Sequence, residues 1–573
     1  MMNAPYAPFA SAALKNGTIP MNLADFYKTG HPGMYPAETK TIAATFTPRG
    51  DKYAPVRHSP FYDRKVVWYG LKGFIKEFLI DKFNADFFAM SKEQAVRKFK
   101  RRVDSALGAG KVAMTQIEKL HDLGYLPLEI RSVPEGSRVN IKVPPVVFIN
   151  THDAFAWVST YFETLFSTEM WKPSTVATIA FEFRKVLTYF AKLTGSPLDF
   201  VNWQVHDFSM RGMSGVHDAA RSGSGPLLSF WGTDTIPAID YVEDYYGANS
   251  DEELIGGSVP ATEHSVMTLR ILLVTQRLRR DPANAGKDEK ALRKMAEFEV
   301  IRELIADLVP SGIISIVADS FDYWNVITDI MPRLKDVIMA RKPDELGNAK
   351  VVARPDSGDP IKILTGYFDK ELVCDAEGQP VFNDGRYTAL DGTRITEAER
   401  KGSVACLWDS FGGSVTSTGH KLLDPHIGLI YGDSITLDRA IAILSRLAAK
   451  GFASGNVVFG VGSFTYQCIT RDSFAWAMKA QYAEVGDEVV EIYKDPATDD
   501  GTKKSAVGLL RVEKEGDDYV LYDRQTREQF DQGELKPVFR NSKLLVDEKW
   551  AVIRERLLSS WVCPAPGTVE FAV

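Results

Sequence analysis

Arg354-Pro355-Asp356-Ser357-Gly358-Asp359-Pro360 sets an arginine and carboxylates directly behind the apolar run Val351-Val352-Ala353. Charge of both signs where a buried strand opens into a loop points to a polar ligand. The arrangement recurs, and the recurrence weighs more than any single copy. Leu227-Leu228-Ser229-Phe230 leads into Gly232-Thr233-Asp234-Thr235, Ile313-Ile314-Ser315-Ile316-Val317 into Asp319-Ser320, and Ile427-Gly428-Leu429-Ile430 into Gly432-Asp433-Ser434. Val457-Val458-Phe459 ends in Gly460-Val461-Gly462-Ser463. Asp, Gly, Ser and Arg thus arrive repeatedly at strand ends.

Short, nearly continuous apolar runs predict strands buried on both faces, as in a parallel sheet covered by helices. Helical patterns separate them. After Asp433, Ser434 or Thr436 can cap a helix with Leu437, Ile441, Leu444 and Leu447 on one face and Gly451 as its stop. Residues 322–341 and 295–309 predict further helices, the second halted by Pro310. Strand, polar turn and helix alternate from about Leu227 to Phe474. The fold class that follows is α/β, with an irregular βα barrel or related closed parallel sheet and the ligand site at its C-terminal strand ends.

The 573 residues, 45% hydrophobic and 25% charged, belong to an ordinary globular protein with room for a large core. Lys and Arg number 68 against 75 Asp and Glu, so no basic excess suggests a nucleic-acid groove or an anionic membrane surface. Cys374, Cys406, Cys468 and Cys563 lie far apart, which argues against a zinc site or disulfide framework and fits a reducing compartment. Residues 1–17 lack the charged flank and apolar core of a signal peptide, and no run has the length of a membrane span. The expectation is a cytoplasmic protein. Residues 1–195, with strand-like pieces at 42–46 and 146–149 and helices at 74–83 and 175–193, form a second, α+β region joined by 484–573. The barrel-like region is 196–483, with insertions near 276–293, charged and exposed, and 366–425, which bears a hairpin signal at Asn383-Asp384-Gly385.

Gly232-Thr233-Asp234-Thr235, Ser258-Val259-Pro260-Ala261-Thr262-Glu263-His264-Ser265 and Arg354-Pro355-Asp356-Ser357-Gly358, with His206-Asp207-Phe208-Ser209-Met210-Arg211-Gly212 and Asp25-Phe26-Tyr27-Lys28, closely resemble the nicotinamide phosphoribosyltransferases of the type II phosphoribosyltransferase family. The motifs keep their order from Asp25 to about Gly508. The resemblance implies transfer of the phosphoribosyl group of phosphoribosyl pyrophosphate to nicotinamide, with Mg²⁺ and with ATP as co-substrate. It implies a ring sandwich of Phe208 and the partner subunit's Tyr27, beside Asp25. Asp234 would accept from the amide NH2, Arg354 would donate to the amide oxygen, and Ser315 belongs to the same base site. Asp319 and Asp356 would bind ribose and steady Mg²⁺-pyrophosphate without ligating the metal themselves. Arg211 and Ser258 fall on the diphosphate side, and the 5′-phosphate would meet the Gly432-Asp433 and Gly462-Ser463 turns with Arg471 and Lys479. Arg49 and Lys503 match further polyphosphate positions. His264 matches a histidine that ATP phosphorylates, with Asp322 or Glu263 to orient it. Family members are homodimers with shared sites. The chain departs from the pattern in Gly460-Val461-Gly462-Ser463-Phe464, which is poorer in glycine, and in Ala477, which replaces a serine.

Singly, each residue has a plainer explanation. Asp234 could cap the helix Ile236 to Tyr246, and Asp319 the helix near Asp322. Arg354 and Asp356 could form a structural ion pair, His264 could be a capping or core histidine, and Lys503 a solvated loop charge. Their joint placement favours a site. Nicotinate phosphoribosyltransferase is the nearest rival, disfavoured because Asp234 would face a substrate carboxylate. A catalytically silent βα-barrel binding protein is the rival from another class.

Overall fold

The computed structural model describes residues 18–493 and 506–571. The strands Val205–Asp207, Gly232–Thr233, Ile313–Val317, Lys350–Arg354, Ile427–Tyr431 and Val457–Val461 form one six-stranded parallel sheet, whose edges are Gly232–Thr233 and Ile313–Val317. The gap between those edges is bridged by 257–262. Gly257 pairs in parallel with Gly232, and Ala261 with Ser315. Thr233 N–H donates to Gly257 O at 3.0 Å, and Ser315 N–H to Pro260 O at 2.9 Å. Pro260 has no N–H to offer a ladder, so this stave stays irregular. With it, the sheet curls into a barrel whose staves follow chain order.

Helices follow the staves: Val216–Leu227, Ile236–Tyr246, His264–Arg280, the broken helical run from Tyr323 to Met339, Pro360–Thr365, Leu437–Ala449 and Ser463–Tyr466. Thr436 caps Leu437–Ala449 by accepting from Arg439 N–H. Ile427–Tyr431 is buried at every position, which is what its unbroken apolar run requires. The strand expected at 227–230 is absent: the helix Val216–Leu227 runs into it, and Leu227, Leu228 and Phe230 are apolar because that helix end is buried. The strand beside it is the two-residue Gly232–Thr233.

A second sheet of seven strands runs in the order Glu488–Glu491, Trp476–Val485, Thr39–Pro48, Val146–Asn150, Leu128–Ser132, Lys536–Arg540, Lys543–Leu544. The C-terminal segment therefore rejoins the N-terminal region as antiparallel strands. The 32-residue helix Glu163–Thr194 is buried over most of its length because it touches this sheet at Trp476–Val485 and the barrel helices Val216–Leu227 and Leu437–Ala449. Phe46 stacks on Trp476 of the neighbouring strand at 4.9 Å and meets Phe166 of the long helix edge-on at 5.1 Å, tying sheet to helix layer.

The charged stretch 276–293 is the turn of a helical hairpin, His264–Arg280 and Glu289–Glu303, laced by Arg279–Glu289 at 2.5 Å and Arg270–Glu303 at 2.8 Å. The stretch 366–425 carries a small sheet, Phe382–Asn383, Arg386–Thr388 and Arg394–Ile395, and the hairpin Gly413–Val415 with Lys421–Leu423. It is fastened to the barrel by Glu371, whose oxygens accept from Arg446 at 2.9 and 2.7 Å and from Lys362 at 2.5 Å. Burial alone would raise that carboxyl, yet Arg446, Lys362 and the Phe368 N–H hold it down to about 2. Among the described residues no helix is long and apolar enough to cross a membrane.

Candidate active site

Parallel register brings the strand ends to one rim. His206 stands between Gly460 and Gly232 on the neighbouring strands, and Val317 beside Arg354. In extended backbone, residues 206 and 208 share a face, and their rings lie 4.7 Å apart at 40°. Phe208 rests on Gly460: a Cβ there would stand 2.7 Å from two Phe208 ring carbons and 2.8 Å from Gly432 Cα. Only glycine leaves room for that ring.

Asp234 Oδ1 accepts from His206 Nε2 at 2.7 Å and from Ser258 Oγ at 2.5 Å. A carboxylate oxygen can only accept, so Nε2 carries the proton. Burial works against the ionised form, but these two hydrogen bonds and the nearby Arg354 charge prevail and hold the Asp234 carboxyl below its ordinary value. Asp234 is not a helix cap. Thr235 occupies that position, and Asp234 turns into the rim instead. Ser258, expected on the diphosphate side, belongs to this cluster.

Beneath it, fully buried Asp207 accepts from Ser209 N–H and Thr235 Oγ1, both at 2.9 Å, and so ties the Phe208 loop to the Asp234 loop. Burial pushes its carboxyl up. Sequence reasoning passed over His206 and Asp207 as ligand-shaping residues. The available signal was the alternation that sets 206 beside 208.

Arg354 donates to Thr262 O, while its Nε is buried without a partner among the described residues, as is Ser315 Oγ. Unsatisfied buried donors at a rim are what a ligand's oxygen would meet. Asp319 joins three neighbours: Oδ1 accepts from His264 Nε2 at 3.2 Å, and Oδ2 accepts from Asp356 N–H at 3.0 Å and Ser357 Oγ at 2.7 Å. Asp319, rather than Asp322 or Glu263, is thus the carboxylate that orients His264. Asp322 caps the helix at Tyr323 by accepting from Asn325 N–H, and Glu263 accepts from Ser265. His264 is half-exposed at the first turn of the helix His264–Arg280, where the N-terminal dipole favours an anion. Burial, with Asp319 and Asp433 nearby, raises the Asp356 carboxyl despite the Arg354 charge. Asp356 also lies against the Gly432 turn, where a Cβ would approach its Oδ1 to 2.8 Å.

On the other side of the rim, the Arg211 turn packs on Ser463, since a Cβ at Gly212 would fall 2.1 Å from Ser463 Oγ. Gly462 opens Ser463–Tyr466 with nothing within 4 Å of its Cβ position. Arg49 donates from Nε to Ala475 O at 3.2 Å, Arg471 lies just before that point, and Lys479 pairs with Thr45 in the second sheet. Ala477, in the same strand, is buried opposite Thr47. Lys503 lies outside the described residues. Tyr27 and Asp25 do not join Phe208 within one chain. Tyr27 is exposed and edge-on to His31, and Asp25 accepts from Thr164. Among the described residues no group of three or more His, Cys, Asp or Glu could hold a metal ion. Among the described residues the Asp356 side chain makes no hydrogen bond, so Asp356, with Asp319 behind it, could face a hard cation.

Residues 203–543 match the model of the nicotinate phosphoribosyltransferase (NAPRTase) family. A nicotinamide phosphoribosyltransferase of Acinetobacter baylyi (strain ATCC 33305 / BD413 / ADP1) is 48% identical over 538 residues, 94% of this chain and 97% of the relative. One of Xanthomonas campestris pv. campestris (strain 8004) is 30% identical over 393 residues, 68% of this chain and 69% of the relative. The crystal structure of human nicotinic acid phosphoribosyltransferase aligns over 94% of this chain and 93% of that chain, with a TM-score of 0.48 and 13% identity. With the family's model spanning more than half of its length, this chain belongs to the nicotinate phosphoribosyltransferase family.

Proposed function

We propose that this protein transfers the phosphoribosyl group of phosphoribosyl pyrophosphate to nicotinamide, forming nicotinamide mononucleotide and pyrophosphate in NAD salvage. The observation that carries the reading is Asp234: its carboxylate is held ionised, with both hydrogen bonds on Oδ1 and Oδ2 left to accept. An amide NH2 can donate to that oxygen, whereas a substrate carboxylate would be repelled. The names of the Acinetobacter and Xanthomonas relatives support the same choice.

The pyridine nitrogen attacks C1 of the ribose as the bond to pyrophosphate breaks, and the pyrophosphate leaves with the electron pair. Phe208 and a partner's Tyr27 hold the ring, Arg354 and Ser315 meet the amide oxygen, and Asp319 and Asp356 face the ribose hydroxyls. Arg211, Arg49, Arg471, Lys479, Lys503 and the Gly432-Asp433 and Gly462-Ser463 turns take the phosphates. Mg²⁺ bound to the pyrophosphate beside Asp356 and Asp319 would offset its charge as it leaves. ATP phosphorylates His264, whose Nε2 is occupied by Asp319 so that Nδ1 is the acceptor. The protein acts as a cytoplasmic homodimer. Exposed Phe26, Tyr27 and Met34, and the exposed stripe Val266, Leu269, Leu272 and Leu273 on the His264 helix, suit burial against a second copy.

Incubating purified protein with phosphoribosyl pyrophosphate, Mg²⁺ and nicotinamide, with and without ATP, should yield nicotinamide mononucleotide and equimolar pyrophosphate, with ATP raising the yield. His264→Ala should keep a weaker, ATP-independent transfer. Absence of the mononucleotide under all these conditions would refute the reading. Mixing inactive Tyr27→Ala and Asp234→Ala proteins should restore activity through heterodimers, and no recovery after demonstrated subunit exchange would exclude the shared site.

A further inference from the structure

We propose that His206 is the positioning residue that sets which base this enzyme accepts, by pinning one oxygen of Asp234 so that the other faces the ligand. The inference rests on the nicotinamide reading above and deepens it. His206 sits in the middle of Val205–Asp207, with glycine in register on both sides: Gly460 on one neighbouring strand and Gly232 on the other. The missing side chains make the slot in which the imidazole lies. A Cβ on Gly232 would stand 2.9 Å from His206 Nδ1, and one on Gly460 would strike Phe208, the ring that leans on His206. The imidazole is buried and has little freedom to turn.

From that fixed seat Nε2–H reaches Asp234 Oδ1 at 2.7 Å, and Ser258 Oγ reaches the same oxygen from the bridging stave at 2.5 Å. Two donors on one oxygen fix the carboxylate's rotation, because swinging it round would leave both without their acceptor. The oxygen left over is then aimed and ionised. The titratable and charged groups facing Asp234 are His206 and, from the strand Lys350–Arg354, Arg354. Ser258 is neutral. Without the His206 donor, the carboxyl rotates more freely and takes a proton more readily, and a protonated Asp234 can donate to a carboxylate ligand. Discrimination between amide and acid therefore depends on a residue that need not touch the base.

The test compares His206→Leu, His206→Asn and His206→Gln with the unaltered enzyme, measuring kcat/KM for nicotinamide and for nicotinate. A glutamine nitrogen reaches about as far as imidazole Nε2, and an asparagine nitrogen falls short. The expected result is a fall of at least about tenfold in the nicotinamide-over-nicotinate ratio for Leu and Asn, with Gln within about threefold of the unaltered enzyme. Nicotinate use by Leu and Asn, relative to Gln, should also rise as pH is lowered toward the ordinary carboxyl value of 3.8, because the carboxyl has lost a donor that held it below that value. A ratio unchanged in Leu and Asn, or lost equally in Gln and Asn, would overturn the proposal, the second outcome marking His206 as packing only. If the Leu variant does not fold by circular dichroism, the Asn and Gln pair decides. An unaltered enzyme that prefers nicotinate would instead refute the function on which this rests.

Discussion

The wall around Asp234 and the side around Arg211 share one barrel rim but are prepared differently. On the wall, His206 and Ser258 already hold Asp234, Asp207 ties the two loops together, and Phe208 lies against a glycine that nothing larger could replace. On the other side Arg211 is exposed, and Arg471, more than half exposed, has among the described residues an ion-pair distance of 3.9 Å to Asp472. A small neutral ring offers few strong contacts, so its recognition depends on geometry fixed in advance. A polyphosphate brings its own charge, and mobile cations can close on it, with sensitivity to salt as the consequence.

The sharpest way to break this contrast is Asp234→Asn. With its amide oxygen kept by His206 and Ser258, the Asn NH2 would face the base, which ends the repulsion and puts a donor where an acceptor stood, and the nicotinamide-over-nicotinate ratio of kcat/KM should fall by about two to four decades, equivalent to ~3–6 kcal/mol. The KM for phosphoribosyl pyrophosphate should stay within about threefold. An unchanged base ratio would mean that Asp234 does not read the base.

Next in size is Gly460→Val, whose side chain would displace the Phe208 ring. Overpacking of this kind costs about 1–3 kcal/mol of stability, and a misplaced ring should lower kcat/KM for nicotinamide about 100-fold. Steady-state kinetics beside a thermal melt would separate the two effects. A variant with normal kinetics would show that the ring's seat is not preset.

Arg211→Gln probes the other side. The KM for phosphoribosyl pyrophosphate should rise about tenfold at low ionic strength and by less in ~0.5 M salt, with the base ratio untouched. Equal losses at both salt concentrations would contradict a screened, exposed contact.

Glu371→Gln should have the smallest effect on catalysis. It loosens the anchor of 366–425 and should cost about 1–3 kcal/mol in unfolding experiments at neutral pH while leaving both kinetic ratios alone. The folded carboxyl is depressed to about 2 from an ordinary 4.5, so its stabilisation is fully present above the higher value and is lost as pH falls toward the lower. The gap in Tm between the two proteins should therefore be constant above about pH 5 and close toward about pH 2.

What could be read from sequence follows from burial. Ile313–Val317, Lys350–Arg354, Ile427–Tyr431 and Val457–Val461 were legible because strands covered on both faces carry short, nearly continuous apolar runs, such as Val351-Val352-Ala353 between Lys350 and Arg354. Val205–Asp207 escaped because it spends two of its three positions on His206 and Asp207, and 257–262 because Pro260 breaks the strand pattern while two bridges still close the barrel. The misread run at 227–230 was apolar for another reason, a buried helix end. Within the candidate site, motif order singled out Asp234, Arg354, Asp319 and His264, which the fold places at one rim. It could not reveal that Asp319 orients His264, or that Ser258 serves Asp234, because such pairings depend on distances between separate loops.

The central claim, that a pre-aimed and ionised Asp234 selects an amide over an acid, is tested most directly by competition in the unaltered enzyme. Equimolar nicotinamide and nicotinate, each with a different isotopic label, would share one reaction with phosphoribosyl pyrophosphate and Mg²⁺ at neutral pH, and both mononucleotides would be counted. The account predicts at least about a hundredfold excess of nicotinamide mononucleotide; equal amounts, or an excess of nicotinate mononucleotide, would contradict it.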